Sequence, residues 1–168
     1  MPYAVTHVLL TVVALDLFRD FVIRRKQNMP LWMIYFGGFA GLAPDLDIPV
    51  YWLLRYAFGR DVDWFHSTLT HSMLFGLILV TIAFVLFRNH KKAATVFAIA
   101  AFGVTFHSFL DYLLSNTIMP FYPFSYYGAG LQLLSSLQVR ALFEGLDAFI
   151  LIGWLFWQEH KHKIIDFI

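Results

Sequence analysis

The stretch that decides the fold is AATVFAIAAFGVTFHSFLDYLL, residues 93–114. Its centre is a continuous run of Ala, Val, Ile, Phe and Gly, and its 22 residues exceed the ~20 that a helix needs to cross the hydrocarbon layer of a bilayer. It ends on His107 and Asp111, two groups that hydrocarbon should exclude. Spaced i, i+4, they stack on one face of a helix, where they can bind one cation or form a carboxylate–histidine pair; a buried pair that only stitches helices is the plainer alternative.

The rest of the chain has the same character. Of 168 residues, 60% are hydrophobic, 19% aromatic and only 14% charged, more apolar surface than a soluble domain of this size can hide. The expectation is an all-α, multi-pass transmembrane helical bundle of about five spans, forming a single membrane-embedded domain over residues 1–168. Besides residues 93–114, the spans are Ala4 to Ile23, Leu31 to Phe58, Leu69 to Phe87, and Ala141 to Trp157. The second is broken at Pro44 and Pro49, as a re-entrant or interrupted helix would be. No cleavable signal peptide is expected, because the basic cluster follows the first apolar segment instead of preceding it.

Charge sets the orientation. Arg24, Arg25, Lys26, Arg88, Lys91, Lys92, Lys161 and Lys163 fall on one side, against Arg55, Arg60 and Arg140 on the other. The positive-inside rule then places the amino terminus outside and the carboxyl terminus in the cytoplasm. A near-zero net charge spread over short clusters gives no nucleic-acid footprint. With no cysteine, any metal must be held by imidazole and carboxylate, a donor set that suits zinc first and manganese or iron next.

On this topology, polar groups from four distant segments arrive at the outer level. His7 opens the first span; Asp45 and Asp47 lie in the Pro44–Pro49 break; His66 and His71 precede the third; His107 and Asp111 close the fourth. The prolines disfavour helix around Asp45 and Asp47, so both carboxylates could point to one side of an extended segment and share a cation; a solvated turn with Asp45 as a cap is the alternative. His66 and His71 would diverge by ~140° on a helix, so both can face one ion only if His66 precedes it. Thr70 or Ser67 could cap that helix.

Asp16, Arg19 and Asp20 lie toward the cytoplasmic end of the first span and read as an internal ion-pair group. Glu144 and Asp147 could reach the site or could be helix-start carboxylates favoured by the macrodipole. The long connection from Ser115 to Arg140, rich in Pro, Tyr, Phe and Gly, is either an aromatic lid over the site or an ordinary amphipathic connector.

Thr6-His7, Pro44-Asp45-Leu46-Asp47, Thr70-His71-Ser72 after His66, and His107-xxx-Asp111 followed by Pro120-Phe121-Tyr122-Pro123-Phe124-Ser125 together resemble the YdjM-like family of inner-membrane-associated, metal-dependent hydrolases. The resemblance covers roughly residues 6 to 125. It departs at Ser67, where the family's HRxxTHS motif carries Arg, and after Asp111, where Thr and Gly usually follow. This family is similar in turn to the zinc-dependent phospholipase C and P1 nuclease group, all-helical enzymes whose ions are held by His and Asp from several helices. The resemblance implies a phosphoester substrate and names His7, Asp45, Asp47, His66, His71, His107 and Asp111 as metal-site candidates. The histidine supply suits one or two ions rather than three.

The resulting expectation is a membrane-bound hydrolase acting on a phospholipid or lipid-linked phosphate at the outer interface, with Asp47 or Asp111 as general base toward metal-activated water. Two rivals predict different behaviour. A cation transporter needs a polar path to the cytoplasmic face, and a metal-stabilised scaffold without activity needs only the ion.

Overall fold

The computed structural model describes residues 4–23, 29–59, 68–114, 117–133 and 137–162, apart from the side chains of 137–144 and 162. Among these residues the chain is all-helical: α1 (Ala4–Phe21), α2 (Leu31–Ala40), α3 (Asp47–Phe58), α4 (Met73–Phe87), α5 (Lys91–Leu114) and α6 (Leu137–His162), with one 3-10 turn at Pro44–Leu46.

Helix α5 is the hub. It packs along α4 and α2 and touches α1 and the 3-10 turn. Small residues permit its closest approach: Gly103 lies against the backbone of α2, where an added Cβ would run into the carbonyl oxygen of Gly37. Such small-residue seams are how helices approach closely where lipid supplies no hydrophobic drive between them. Counting along the same stripe of α5 by fours, Gly103 leads to His107 and then Asp111, so the seam that fits α2 also aims both polar groups at the turn beyond its end.

The apolar core sits below that level, made by Val12, Leu15, Met33, Ile34 and Ile99 from α1, α2 and α5. Around it the usual distribution is inverted. Thr6, His7, Asp16, His71, His107, Asp111 and Gln158 are buried, while Phe84 is 81% exposed, Phe149 73% and Trp52 59%. Apolar surface on this scale marks a contact with membrane or protein rather than with water.

Among the described residues one helix, α5, is long and apolar enough to cross a membrane; α2 and α4 are apolar but shorter. Each of the five expected spans contains helix, and among the described residues only that of α5 has the length and apolarity of a membrane crossing. Helix α4 begins at Met73 rather than Leu69, because Ser72 turns its hydroxyl back to the carbonyl of Leu69 and the preceding residues form a turn. The expected cap from Thr70 is not made; Ser72 occupies the N-cap position.

At the Pro44–Pro49 break the structure follows the turn alternative rather than the extended segment, although Asp45 is not its cap. Pro44 opens the 3-10 turn, and Pro49 falls in the first turn of α3. At those positions a missing N–H costs no helical hydrogen bond, so both prolines start helix instead of preventing it.

Helices α1 and α6 run in the same direction, joined by polar side chains. Thr6 donates to Asp147 at 2.6 Å near one end. At the other, Asp16 accepts from Trp154 at 3.2 Å and from Gln158 and pairs with Arg19 at 3.6 Å, while Trp157 donates to Asp20 at 3.3 Å. The ion-pair group expected around Asp16 and Arg19 thus forms and extends onto α6.

Candidate metal centre

Four chain segments end at the same place. His7 stands in the second turn of α1, Asp45 in the 3-10 turn after α2, His71 in the turn before α4, and His107 and Asp111 in the last turns of α5. Thr11 donates to the carbonyl of His7 at 2.6 Å, one helical turn on, and lies fully buried between α1 and α2. The rings of His7 and His107 stand 4.3 Å apart between centroids, and those of His71 and His107 5.3 Å.

The donor atoms converge. His7 Nε2 is 3.3 Å from Asp111 Oδ1; His71 Nε2 is 3.4 Å from Asp111 Oδ2 and 3.6 Å from Asp45 Oδ1; His107 Nε2 is 3.6 Å from both Asp111 Oδ2 and Asp45 Oδ1. These separations are too long for charge-assisted hydrogen bonds, which lie at about 2.7–2.9 Å. They match what two ligands of one tetrahedral ion require: bonds of about 2.0–2.2 Å put neighbouring donors roughly 3.3–3.6 Å apart.

Two overlapping triads, His7–His107–Asp111 and Asp45–His71–His107, have the proximity to hold a cation. Both oxygens of Asp111, Nε2 of His107 and Oδ1 of Asp45 are buried without a hydrogen-bond partner. Leaving such groups unsatisfied costs about 1–3 kcal/mol each, and a cation at their centre would satisfy them together. The residues therefore fit a divalent ion, with Asp111 able to serve two sides through its two oxygens. Asp45 is the most open of the set, at 14% side-chain exposure.

Asp47 stands apart from the triads. Its Oδ2 lies 3.7 Å from Nδ1 of His71, on the side of the ring away from the other ligands, and accepts a hydrogen bond from Thr70 at 2.8 Å. The Thr70 hydroxyl is also 3.2 Å from Nδ1 of His71. Carboxylate, hydroxyl and imidazole thus form a small network that fixes the His71 ring, as partners of metal-binding histidines commonly do. Thr70 was expected only as a helix cap. Its true neighbour lies 23 residues away, and the one hint in the sequence is its place beside His71 in the Thr70-His71-Ser72 triplet.

Among the other expected residues, His66 lies outside the described residues, as does the side chain of Glu144. Asp147 bonds to Thr6, the neighbour of His7, and is not a member of either triad. Asp16 and Arg19 belong to the far end of α1.

Neither curated proteins nor solved structures give a match to the chain. A family model does, over residues 1–165, nearly its whole length, and that extent, taken with the motifs that build the cluster, establishes that the chain belongs to the YdjM inner membrane protein family.

Proposed function

We propose that this protein is a multi-pass membrane metallohydrolase that cleaves a phosphoester of a membrane lipid at the outer interface. One observation carries the reading: three buried imidazoles and two carboxylates from four segments present donor atoms 3.3–3.6 Å apart, and both oxygens of Asp111, Nε2 of His107 and Oδ1 of Asp45 are buried without a hydrogen-bond partner. His7, Asp45, His71, His107 and Asp111 are the residues that would hold one or two divalent ions, zinc first. When bound, such an ion supplies Lewis acidity toward the ester and lowers the pKa of water to about 7.

The chain's own groups have separable tasks. Asp111 gives one oxygen toward His7 and the other toward His71 and His107, which favours a ligand rather than the base expected for it. Asp47, behind His71, favours an orienting role, keeping the Nε2 of that ring aimed inward. Asp45 borders the way in from outside.

The topology reading adds the level. Exposed aromatic surface, the apolar α5 and membership of an inner membrane family support a lipid surround, and the charge pattern favours the cluster at the outer headgroup level. The His107-xxx-Asp111 pair, alike in kind to that of zinc-dependent phospholipase C, supports a phosphoester as the bond attacked. The transporter reading is less favoured, because the apolar core of Val12, Leu15, Met33, Ile34 and Ile99 lies between this centre and the Asp16 group.

A panel of phosphoesters and phospholipids, offered to purified protein with and without added zinc, tests the proposal. Zinc-dependent release of phosphate or headgroup, abolished in His107→Ala, is expected; no turnover of any member by metal-loaded protein would leave a metal-stabilised scaffold as the better account.

A further inference from the structure

An apolar groove adjoins the centre. It has a volume of about 400 Å³ and lies between the start of α4, the outer half of α5 and the loop at 118–121. Phe102, Phe106 and Phe109 line its α5 wall, the first two rings stacked at 5.3 Å between centroids and the last two tilted at 6.2 Å, and Ile118 and Phe121 close the loop side. The loop is tied across by a hydrogen bond from the Met73 N–H to the Pro120 carbonyl at 2.9 Å. His71, a member of the candidate centre, forms part of the same wall. A larger cavity of about 780 Å³, between α1, α2 and α6, includes no residue of either triad.

We infer that this groove holds one acyl chain of a phospholipid whose phosphoester headgroup lies at the His71–His107 centre. The inference rests on the reading of that centre as a phosphoesterase and adds how the substrate is held. A water-soluble phosphoester would find mainly apolar walls beside the site, broken by His71, Ser72, Thr105 and Ser108, whereas a hydrocarbon chain buries apolar surface there at about 25 cal/mol per Å². The length agrees. From Phe102 to Tyr112 the α5 wall runs ~15 Å, at ~1.5 Å per residue. The volume corresponds to about a dozen water-sized units at roughly 30 Å³ each, the scale of one acyl chain rather than a long polyprenyl tail. The wall is also open sideways, since Phe109 is 51% and Phe121 57% exposed, so a chain can enter from the bilayer without crossing water.

The test uses the full chain in vesicles of phosphatidylethanolamine and phosphatidylglycerol, with a trace of phosphatidylglycerol bearing a photoreactive diazirine in mid-chain. After illumination the labelled residues are mapped by mass spectrometry, and zinc content is measured on the same sample. Label concentrated on Phe106, Phe109 and Phe121, and lowered about tenfold by Met73→Trp at the groove mouth, equivalent to ~1.4 kcal/mol of lost binding, is the expected result. Label as strong on the outward Phe84 of α4 and Phe149 of α6 as in the groove shows annular lipid only and overturns the inference, whether or not Met73→Trp folds. The zinc measurement separates the two readings. Groove label without zinc supports the acyl site while removing the hydrolase, and zinc with uniform label removes the acyl site alone.

Discussion

His107 is the residue on which the centre turns, since it belongs to both triads and its ring contacts those of His7 and His71. Replacing Asp111 with Asn keeps the shape while halving the oxygen donors that face three histidines, so Asp111→Asn is expected to lower zinc affinity by at least tenfold in competition titrations. Thr70→Val is subtler. It removes the hydroxyl between Asp47 and His71, and loss of such an outer partner costs about 10- to 100-fold in metal affinity. Thr70→Ser should restore most of that affinity, an outcome that a merely structural role of the threonine methyl would not give. The residues of the candidate cluster were legible in the sequence because ionisable groups in apolar segments are few and stand out. Thr70 was not, since its partner Asp47 comes from another helix and a threonine near a helix start has an ordinary use as a cap.

At the level of elements, the glycine seam between α2 and α5 sets the height of the centre. Any side chain larger than hydrogen at Gly103 meets backbone rather than a yielding side chain. Gly103→Leu should therefore push α2 from α5, cost about 1–3 kcal/mol by overpacking, and separate Asp45 from His107. Lower thermal stability together with reduced zinc stoichiometry is the expected pair of readings. On α6, Gln158→Leu removes a buried donor to Asp16 and should lower stability without changing zinc content, because that contact lies at the other end of α1. The sequence showed where helices run and that the second is broken. It misjudged the break itself: proline was read as opposing helix, whereas both prolines occupy opening positions where their rings fit. The start of α4 was placed four residues early for a related reason, as apolar character at Leu69 does not reveal that Ser72 folds back on it.

For the whole molecule, the arrangement is a bundle with polar groups inside and aromatic residues outside, closed at one level by a cluster that would be costly to bury without a cation. Zinc binding should thus add to folding. At a thousandfold excess over Kd a ligand contributes about 4 kcal/mol, so chelation should lower the unfolding temperature of the native protein and leave His107→Ala unmoved. Composition and charge were enough to read a membrane protein and to bring His7, Asp45, His71, His107 and Asp111 to one level. They could not tell whether Asp47 would join the candidate cluster or stand behind His71, because that distinction depends on which nitrogen of His71 it faces. The most direct measurement is the metal content of the purified full chain, by mass spectrometry, beside His107→Ala and a control, His90→Ala, outside the cluster. One or two zinc ions per chain in the native protein and the control, and none in His107→Ala, is the outcome the account predicts; a metal-free native protein, or equal loading in all three, would contradict it.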